Sequence, residues 1–169
     1  ASAISQIIFL IILLIFSAFF SSAETALTTV NKIRMRTLAD DGNKRAERVL
    51  RITDDSHKML SAILIGNNIV NLSASSLATT LAIKLWGSVG AGIATGILTF
   101  LILVFGEISP KTFATLYADQ ISIAYSGIIG FLMKILTPVI FLVNQFSMGF
   151  LFLLHVDPVS YTHLTLPTT

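Results

Sequence analysis

Charged residues are scarce in this chain of 169 residues, and cysteine is missing altogether. Only 12% of the residues are charged and 54% are hydrophobic, with a mean hydropathy of +0.83, whereas soluble domains carry roughly 25% charged residues. The composition excludes an ordinary soluble domain and predicts an all-α integral membrane protein. Because there is no thiolate, any bound metal ion must be held by oxygen or imidazole ligands, which favours hard cations such as Mg²⁺.

Patterns typical of hydrolases are also missing. There is no Gly-x-Ser-x-Gly, no His-Glu-x-x-His and no pair of aspartates within an apolar run. The three histidines, His57, His155 and His163, are too far apart to form a spaced imidazole cluster. We therefore expect no enzyme activity.

Three long uncharged runs predict three transmembrane helices. They cover about residues 3–29, 59–84 and 89–107, and each is close to the roughly 20 residues that cross a hydrocarbon core. A cleaved signal peptide is the alternative for the first run, but no basic segment precedes its apolar part. Small residues in the third run predict close helix packing.

Residues 30–56 have a different character and predict a short-helix hairpin outside the bilayer. Eight of the eleven Lys and Arg residues fall between Lys32 and Lys58, and a turn at residues 40–43 separates two helical patterns. The positive-inside rule predicts that this hairpin is cytoplasmic and that the N-terminus is outside. The basic residues could form a nucleic-acid or lipid-headgroup patch, but interspersed acids favour a plain solvated surface: Asp40, Asp41, Glu47, Asp54 and Asp55.

The apolar stretch at residues 120–154 is ambiguous, because Lys134 and Pro138 interrupt it. It could form two spans, one long tilted span, or a kinked belt helix along the inner membrane interface, where Lys134 could reach the headgroups. We favour the kinked juxtamembrane belt helix over a fourth full span. Residues 157–169 are rich in Thr and Pro without periodicity, and we interpret them as a disordered or non-native tail.

Residues 105–111 read Phe-Gly-Glu-Ile-Ser-Pro-Lys and place a carboxylate, Glu107, at the end of an uncharged run. An ionisable group within a membrane span is a functional-site hypothesis by default. Pro110 lacks a backbone N–H and predicts a kink or break in the helix just after Glu107. The carbonyls freed by a break are tolerated only inside protein or beside a polar cavity, which is also what a cation site requires.

Polar side chains form stripes on the first two predicted spans. The second span carries Asn67, Asn71 and Ser75 at intervals of four residues, with Asn68 beside them, and the first span carries Ser17, Ser21, Glu24, Thr25 and Thr28. Such residues often only join helices, at roughly 0.6 to 2 kcal/mol per hydrogen bond. Together with Glu107, however, they offer the neutral and anionic oxygens that suit Mg²⁺ or Na⁺. Periodicity alone does not establish that these groups meet.

Three ordered stretches resemble the signatures of the CNNM/CorC transmembrane domain: residues 20–27 (FSSAETAL), 63–71 (ILIGNNIVN) and 105–111 (FGEISPK). The hairpin at residues 42–46 is also similar, and the likeness covers roughly residues 3–156. The resemblance implies a homodimeric module of the plasma (inner) membrane that exports Mg²⁺, with Na⁺ as the coupling ion. It also implies a cytosolic CBS-domain pair that binds ATP and is absent from this chain. From the mixed charges of the hairpin we expect no nucleic-acid partner.

By motif position, the resemblance implies that Mg²⁺ is held by Ser21, Asn67, the Gly106 carbonyl and Glu107. Ser22, Asn68 and Asn71 are further candidates for the metal site. The alternative function is a regulatory or scaffolding membrane module that senses Mg²⁺ without transporting it.

Overall fold

The computed structural model describes residues 2–156, and every regular element in this range is helical. A π-helical segment, Ile102–Ile108, joins the fifth helix to the sixth. The eight α-helices are α1 (Ala3–Thr29), α2 (Lys32–Asp40), α3 (Lys44–Asp54), α4 (Ser56–Trp86), α5 (Ser88–Leu101), α6 (Ser109–Leu116), α7 (Ala118–Ile135) and α8 (Thr137–Leu153).

Within residues 2–156, three helices are long and apolar enough to cross a membrane. They are α1, α4 and the continuous helix Ser88–Leu116, which consists of α5, the π-helical segment and α6 and is called the third span here. Their outward surfaces carry exposed large apolar side chains, such as Phe16, Leu72 and Phe100, as expected of helices that face lipid. The chain is therefore a multi-pass, all-α membrane protein, and the predicted fold class is confirmed.

The third span does not break at Pro110, and it extends past residue 107 to Leu116. The expected break is wrong because the π-helical segment carries the helix past the proline. The Ser109 N–H donates to the Val104 carbonyl, five residues back, and Pro110 then occupies the first turn of α6, where its missing N–H is tolerated.

The hairpin consists of α2 and α3, as predicted. Asn31 and Asn43 cap the two helices, each accepting a backbone N–H of the first turn, and Gly42 makes the turn between them with φ of 93°. The Asp119 carboxylate at the start of α7 accepts the Asn31 N–H at 3.0 Å and lies 3.5 Å from the Arg34 guanidinium. These contacts attach the hairpin to α7.

The α7 and α8 helices form a pair bent by 64°, with the break at Leu136, just before Pro138. By length and composition, the pair is one broken span or a re-entrant loop. The belt and the full span therefore both stay open as interpretations of residues 120–154. The α7 helix packs against α1, α3 and α4, whereas most of α8 is exposed.

One buried cluster joins the hairpin to the spans. Its residues come from α1, α2, α3, α4, α7 and, through Ile140, α8, and the largest fully buried ones are Leu27, Met35, Val49, Met59, Ile63 and Ile129. The hairpin is therefore packed on the ends of the spans and is not a free loop.

Candidate cation site

Two glycines allow α1, α4 and the third span to approach closely. A Cβ atom on Gly66 would lie 2.5 Å from the ring of Phe20, and one on Gly106 would lie 2.8 Å from Ser17 Oγ. Both distances are shorter than side chains tolerate, so the two contacts with α1 depend on glycine. Each glycine directly precedes a predicted ligand, Asn67 or Glu107. Close packing on one stretch of α1 thus brings these two side chains together.

Asn71, Asn67 and Glu107 form a chain of side-chain contacts between α4 and the third span. Asn67 Nδ2 donates to Glu107 Oε1 at 3.5 Å, and Asn71 Nδ2 donates to Asn67 Oδ1 at 3.5 Å. Both hydrogen bonds are long and therefore weak, and all three side chains are partly buried. The structure thus brings together the carboxylate and two amides that the sequence predicted as metal ligands.

Glu107 also has a cationic partner. Lys111 Nζ lies 3.2 Å from Glu107 Oε2, and the two side chains are 42% and 24% exposed. Lys111 was not among the predicted site residues, although the spacing of four residues from a glutamate to a lysine on one helix was the signal for this pair. A positive charge therefore lies beside the carboxylate.

Two serines of α1 are buried next to this cluster without hydrogen-bond partners among the described residues. Ser17 is 1% exposed and Ser21 is 0% exposed, and neither Oγ atom is satisfied. Ser17 lies beside Gly106, and Ala26 packs near Ala114, so α1 runs parallel to the third span. Ser21 therefore lies level with the helical turn that follows Gly106. Buried hydroxyls usually have a hydrogen-bond partner, so these two oxygens are available to bind an ion or water.

Pro110 also frees a backbone oxygen of the third span. It has no N–H, so one carbonyl of the preceding turn loses its helical donor. Helix carbonyls point toward the C-terminus, which here is toward the level of Ser21. π-Helical turns occur frequently at functional sites, and this one contains both Gly106 and Glu107.

The structure does not bring the other two candidates, Ser22 and Asn68, into the chain of contacts. Ser22 Oγ donates to the Phe19 carbonyl of its own helix at 3.0 Å. Asn68 is exposed, and no side-chain hydrogen bond of Asn68 is seen within residues 2–156.

The candidate ligands lie at similar depths. At 1.5 Å per residue, Asn67 is about 16 Å from the start of α4, Glu107 about 14 Å from the end of α6, and Ser21 about 12 Å from the end of α1. All three distances are measured from the helix ends nearest the hairpin. Because the third span continues to Leu116, Glu107 lies within the span and not at its end.

The donor set of this site is unusual for a protein metal site. Within residues 2–156 no group of three or more His, Cys, Asp or Glu side chains is placed to hold a metal ion. The cluster instead offers one carboxylate with hydroxyl, amide and backbone carbonyl oxygens. Oxygen ligands of this kind suit hard cations, and a single carboxylate limits how tightly a cation is held.

A family model, the Cyclin M transmembrane N-terminal domain, matches residues 8–166. The chain belongs to the CNNM family. The match confirms the resemblance identified from the three signature stretches. It also extends into residues 157–169, which lie outside the described residues, so their interpretation as a non-native tail stays a prediction.

Bacterial relatives of this CNNM domain are similar over most of its length. A UPF0053 protein of Haemophilus influenzae is 46% identical over 140 residues, which is 83% of this chain and 33% of that protein. The UPF0053 inner membrane protein YfjD of Escherichia coli is 41% identical over 131 residues, 78% of this chain and 31% of that protein. A polyamine export protein of H. influenzae is 24% identical over 172 residues, 94% of this chain and 40% of that protein. The chain thus spans about a third of the length of its most similar relatives among these.

Proposed function

We propose that this CNNM domain exports Mg²⁺ across the plasma (inner) membrane in exchange for Na⁺, and that it works as a homodimer. The observation that supports a cation site most directly is the contact chain Asn71–Asn67–Glu107 beside the two buried, unsatisfied hydroxyls of α1. In this proposal Ser21, Asn67, the Gly106 carbonyl and Glu107 hold the ion, and Asn71 orients Asn67.

The chemistry of Mg²⁺ explains why several elements must contribute. Mg²⁺ loses its water reluctantly, so a site that strips it needs preplaced oxygens that include a charge. Asn67 now directs its Nδ2 toward Glu107, and rotating the amide would direct its oxygen toward an ion held there. Lys111 must also release the carboxylate as the ion enters. Binding of the ion is thereby linked to rearrangement of side chains from two helices.

The exchange requires that the same oxygens release Mg²⁺ again. One carboxylate among neutral ligands binds a divalent ion less tightly than a cage of acids would. Na⁺, which also prefers oxygen ligands, competes for this site in our proposal. Competition between the two ions then couples export of Mg²⁺ to entry of Na⁺.

The orientation follows from the charge distribution. We propose a cytoplasmic hairpin and an outside N-terminus, with Mg²⁺ entering from the hairpin side. The inner-membrane relative YfjD supports location in that membrane. Since the chain spans about a third of its relatives' length, we propose that the whole protein continues into a cytosolic CBS pair that binds ATP, and that it is a transporter and not an enzyme.

The test is Mg²⁺ flux into proteoliposomes that contain the full-length protein, driven by a Na⁺ gradient. Replacing Glu107→Ala removes the only carboxylate of the contact chain, so we expect flux to be abolished. The matched control is Glu47→Ala, which removes an exposed carboxylate of α3 and should leave flux unchanged. Unchanged flux in Glu107→Ala contradicts the site. Mg²⁺ binding by the wild-type protein without flux supports a sensing or scaffolding module instead.

The relative named as a polyamine export protein supplies a second candidate, export of an organic polycation. Polyamines carry several separated ammonium groups, which are best bound by several anions or aromatic faces. The contact chain contains one carboxylate, which favours a compact ion. The same proteoliposomes discriminate, because polyamine flux that requires Glu107, without Mg²⁺ flux, would assign the site to polyamines.

A further inference from the structure

A cleft of about 570 Å³ lies between α3, the start of α4 and α7, away from the candidate cation site. Four cationic side chains line it: Arg48, Arg51, Lys58 and Lys134. Asp55 is the one carboxylate among its lining residues. The cleft therefore has a formal excess of three positive charges at the junction of the hairpin with the spans.

The four cations have no partner within the described residues. None of them forms an ion pair or a side-chain hydrogen bond there, and the Asp55 carboxylate accepts the backbone N–H of Lys58 as the cap of α4. The sequence favoured a plain solvated surface because acids are interspersed with the basic residues. The other hairpin acids do not line the cleft, so that reasoning does not hold for this surface. Four neighbouring like charges repel one another unless an anion joins them.

Two glycines of α7 shape the cleft. A Cβ atom on Gly127 would lie 2.9 Å from Arg48 Nη1, so glycine allows this guanidinium to lie against the α7 backbone. Gly130 faces Ile52 with a Cβ distance of 3.6 Å. The Arg48 guanidinium is thus held in place without an acidic partner, and its five N–H donors remain available to an oxyanion.

The cleft also lies at a membrane boundary. Lys58 immediately precedes Met59, where the uncharged run of α4 begins, and Phe131, which lines the cleft from α7, is 60% exposed. Ile128 and Ile135 are exposed on the same helix. The cleft is therefore cationic, and the exposed apolar side chains of α7 form an apolar wall beside it, which matches a molecule with an anionic head and an apolar chain.

We propose that this cleft binds the phosphate headgroup of an anionic glycerophospholipid, with the acyl chains lying along the exposed face of α7. Basic pockets between helices at a membrane surface bind such headgroups. Free phosphate has the same headgroup chemistry but gains nothing from the apolar wall, and this difference favours the lipid. The proposal does not depend on which ion the domain transports.

The test is to titrate the full-length protein in detergent with short-chain phosphatidylglycerol, with phosphatidylcholine of equal chain length, or with inorganic phosphate. Native mass spectrometry counts bound lipid, and the thermal melting temperature reports its effect on stability. We expect phosphatidylglycerol to bind and to raise the melting temperature, whereas the other two do not. The triple variant Arg48→Gln, Arg51→Gln, Lys134→Gln should bind roughly fivefold more weakly for each charge removed.

The matched control is Lys32→Gln, Arg36→Gln, Lys44→Gln, which removes three exposed charges of the hairpin outside the cleft and should bind like the wild type. Equal losses in both triple variants would overturn the proposal in favour of general surface charge. Binding of inorganic phosphate as tight as that of phosphatidylglycerol would overturn the choice of a lipid. If the triple cleft variant fails to fold, the single variant Arg51→Gln, at an exposed residue, replaces it in the comparison with the wild type and the control.

Discussion

Glu107 lies between a neutral amide and a positive charge, and this arrangement determines what the residue can bind. One carboxylate oxygen accepts from Asn67, and the other lies 3.2 Å from the Lys111 ammonium. In a low-dielectric environment such a cation partly satisfies the carboxylate. An entering ion therefore competes with Lys111 for the Glu107 carboxylate. Breaking the Glu107–Lys111 ion pair costs free energy, and this cost lowers the affinity for the ion.

Removing this competitor should strengthen ion binding. We expect Lys111→Met to bind Mg²⁺ a few-fold more tightly than the wild type. The gain should be no larger, because a half-exposed ion pair is weak. Isothermal titration calorimetry on purified protein measures the change. Lys44→Met, which removes a charge from the hairpin, is the control and should bind like the wild type. Weaker binding in Lys111→Met would mean that Lys111 positions Glu107 instead of competing for it.

The close contact between Gly106 and Ser17 gives a second residue-level prediction. Gly106→Ala places a Cβ atom 2.8 Å from Ser17 Oγ, so we expect overpacking to destabilise the protein by roughly 1 to 3 kcal/mol and to reduce Mg²⁺ binding. Thermal unfolding and calorimetry measure the two effects.

The same helix supplies the control for Gly106→Ala. A Cβ atom on Gly96 meets nothing within 4 Å, so Gly96→Ala should leave both stability and binding nearly unchanged. Adding Ser17→Ala to Gly106→Ala removes the clashing hydroxyl without placing a glycine inside α1 and should recover much of the stability. If Gly96→Ala is as damaging as Gly106→Ala, the cause is a general effect on the helix and not the contact with α1.

At the scale of one element, the third span shows why its end was predicted too early. The predicted end rested on a break at Pro110. The residues after the proline continue the helix, and the hydroxyls of Thr112 and Thr115 donate to carbonyls four residues back in that helix. Ala114 is fully buried between α1 and α7. A threonine whose hydroxyl donates to a carbonyl of its own helix can lie inside that helix. The sequence does not reveal whether a threonine hydroxyl makes such a bond or faces solvent in a loop.

The π-helical segment leads to a prediction about the role of Pro110. In Pro110→Ala an N–H is regained and an ordinary α-helical register becomes available, so we expect stability to be equal or higher. Loss of the π-helical turn would rotate Glu107 relative to Asn67, and Mg²⁺ flux should fall several-fold. Flux in proteoliposomes and thermal unfolding are measured on the same preparation. Unchanged flux would show that the π-helical turn does not depend on the proline or does not matter to the site.

At the scale of the whole molecule, the sequence predicted the spans and the hairpin because these depend on the length of apolar runs and on local turn chemistry. Asn43 and Gly42, for example, act as a cap and a turn whatever lies around them. The convergence of Asn67 with Glu107 depends on how closely the helices approach. The contacts of Gly66 and Gly106 with α1 set that distance, and periodicity carries no information about it.

The orientation of the whole molecule is what gives the proposed transport its direction. The chain contains no cysteine, so one introduced thiol is its only thiol. Arg45 is exposed on the hairpin, and Ser88 is exposed at the turn between α4 and α5, at the opposite ends of the spans. The basic surplus around Arg45 predicts that this side is cytoplasmic.

With a membrane-impermeant maleimide, Ser88→Cys should therefore be labelled in intact cells, and Arg45→Cys only after the membrane is permeabilised. Labelling of the denatured proteins controls for the intrinsic reactivity of the two thiols. The reverse pattern would place the hairpin outside. Since Ser21, Asn67 and Glu107 all lie about 12 to 16 Å from the hairpin-side ends of their helices, that result would make the site load from outside, and the proposed export would become uptake.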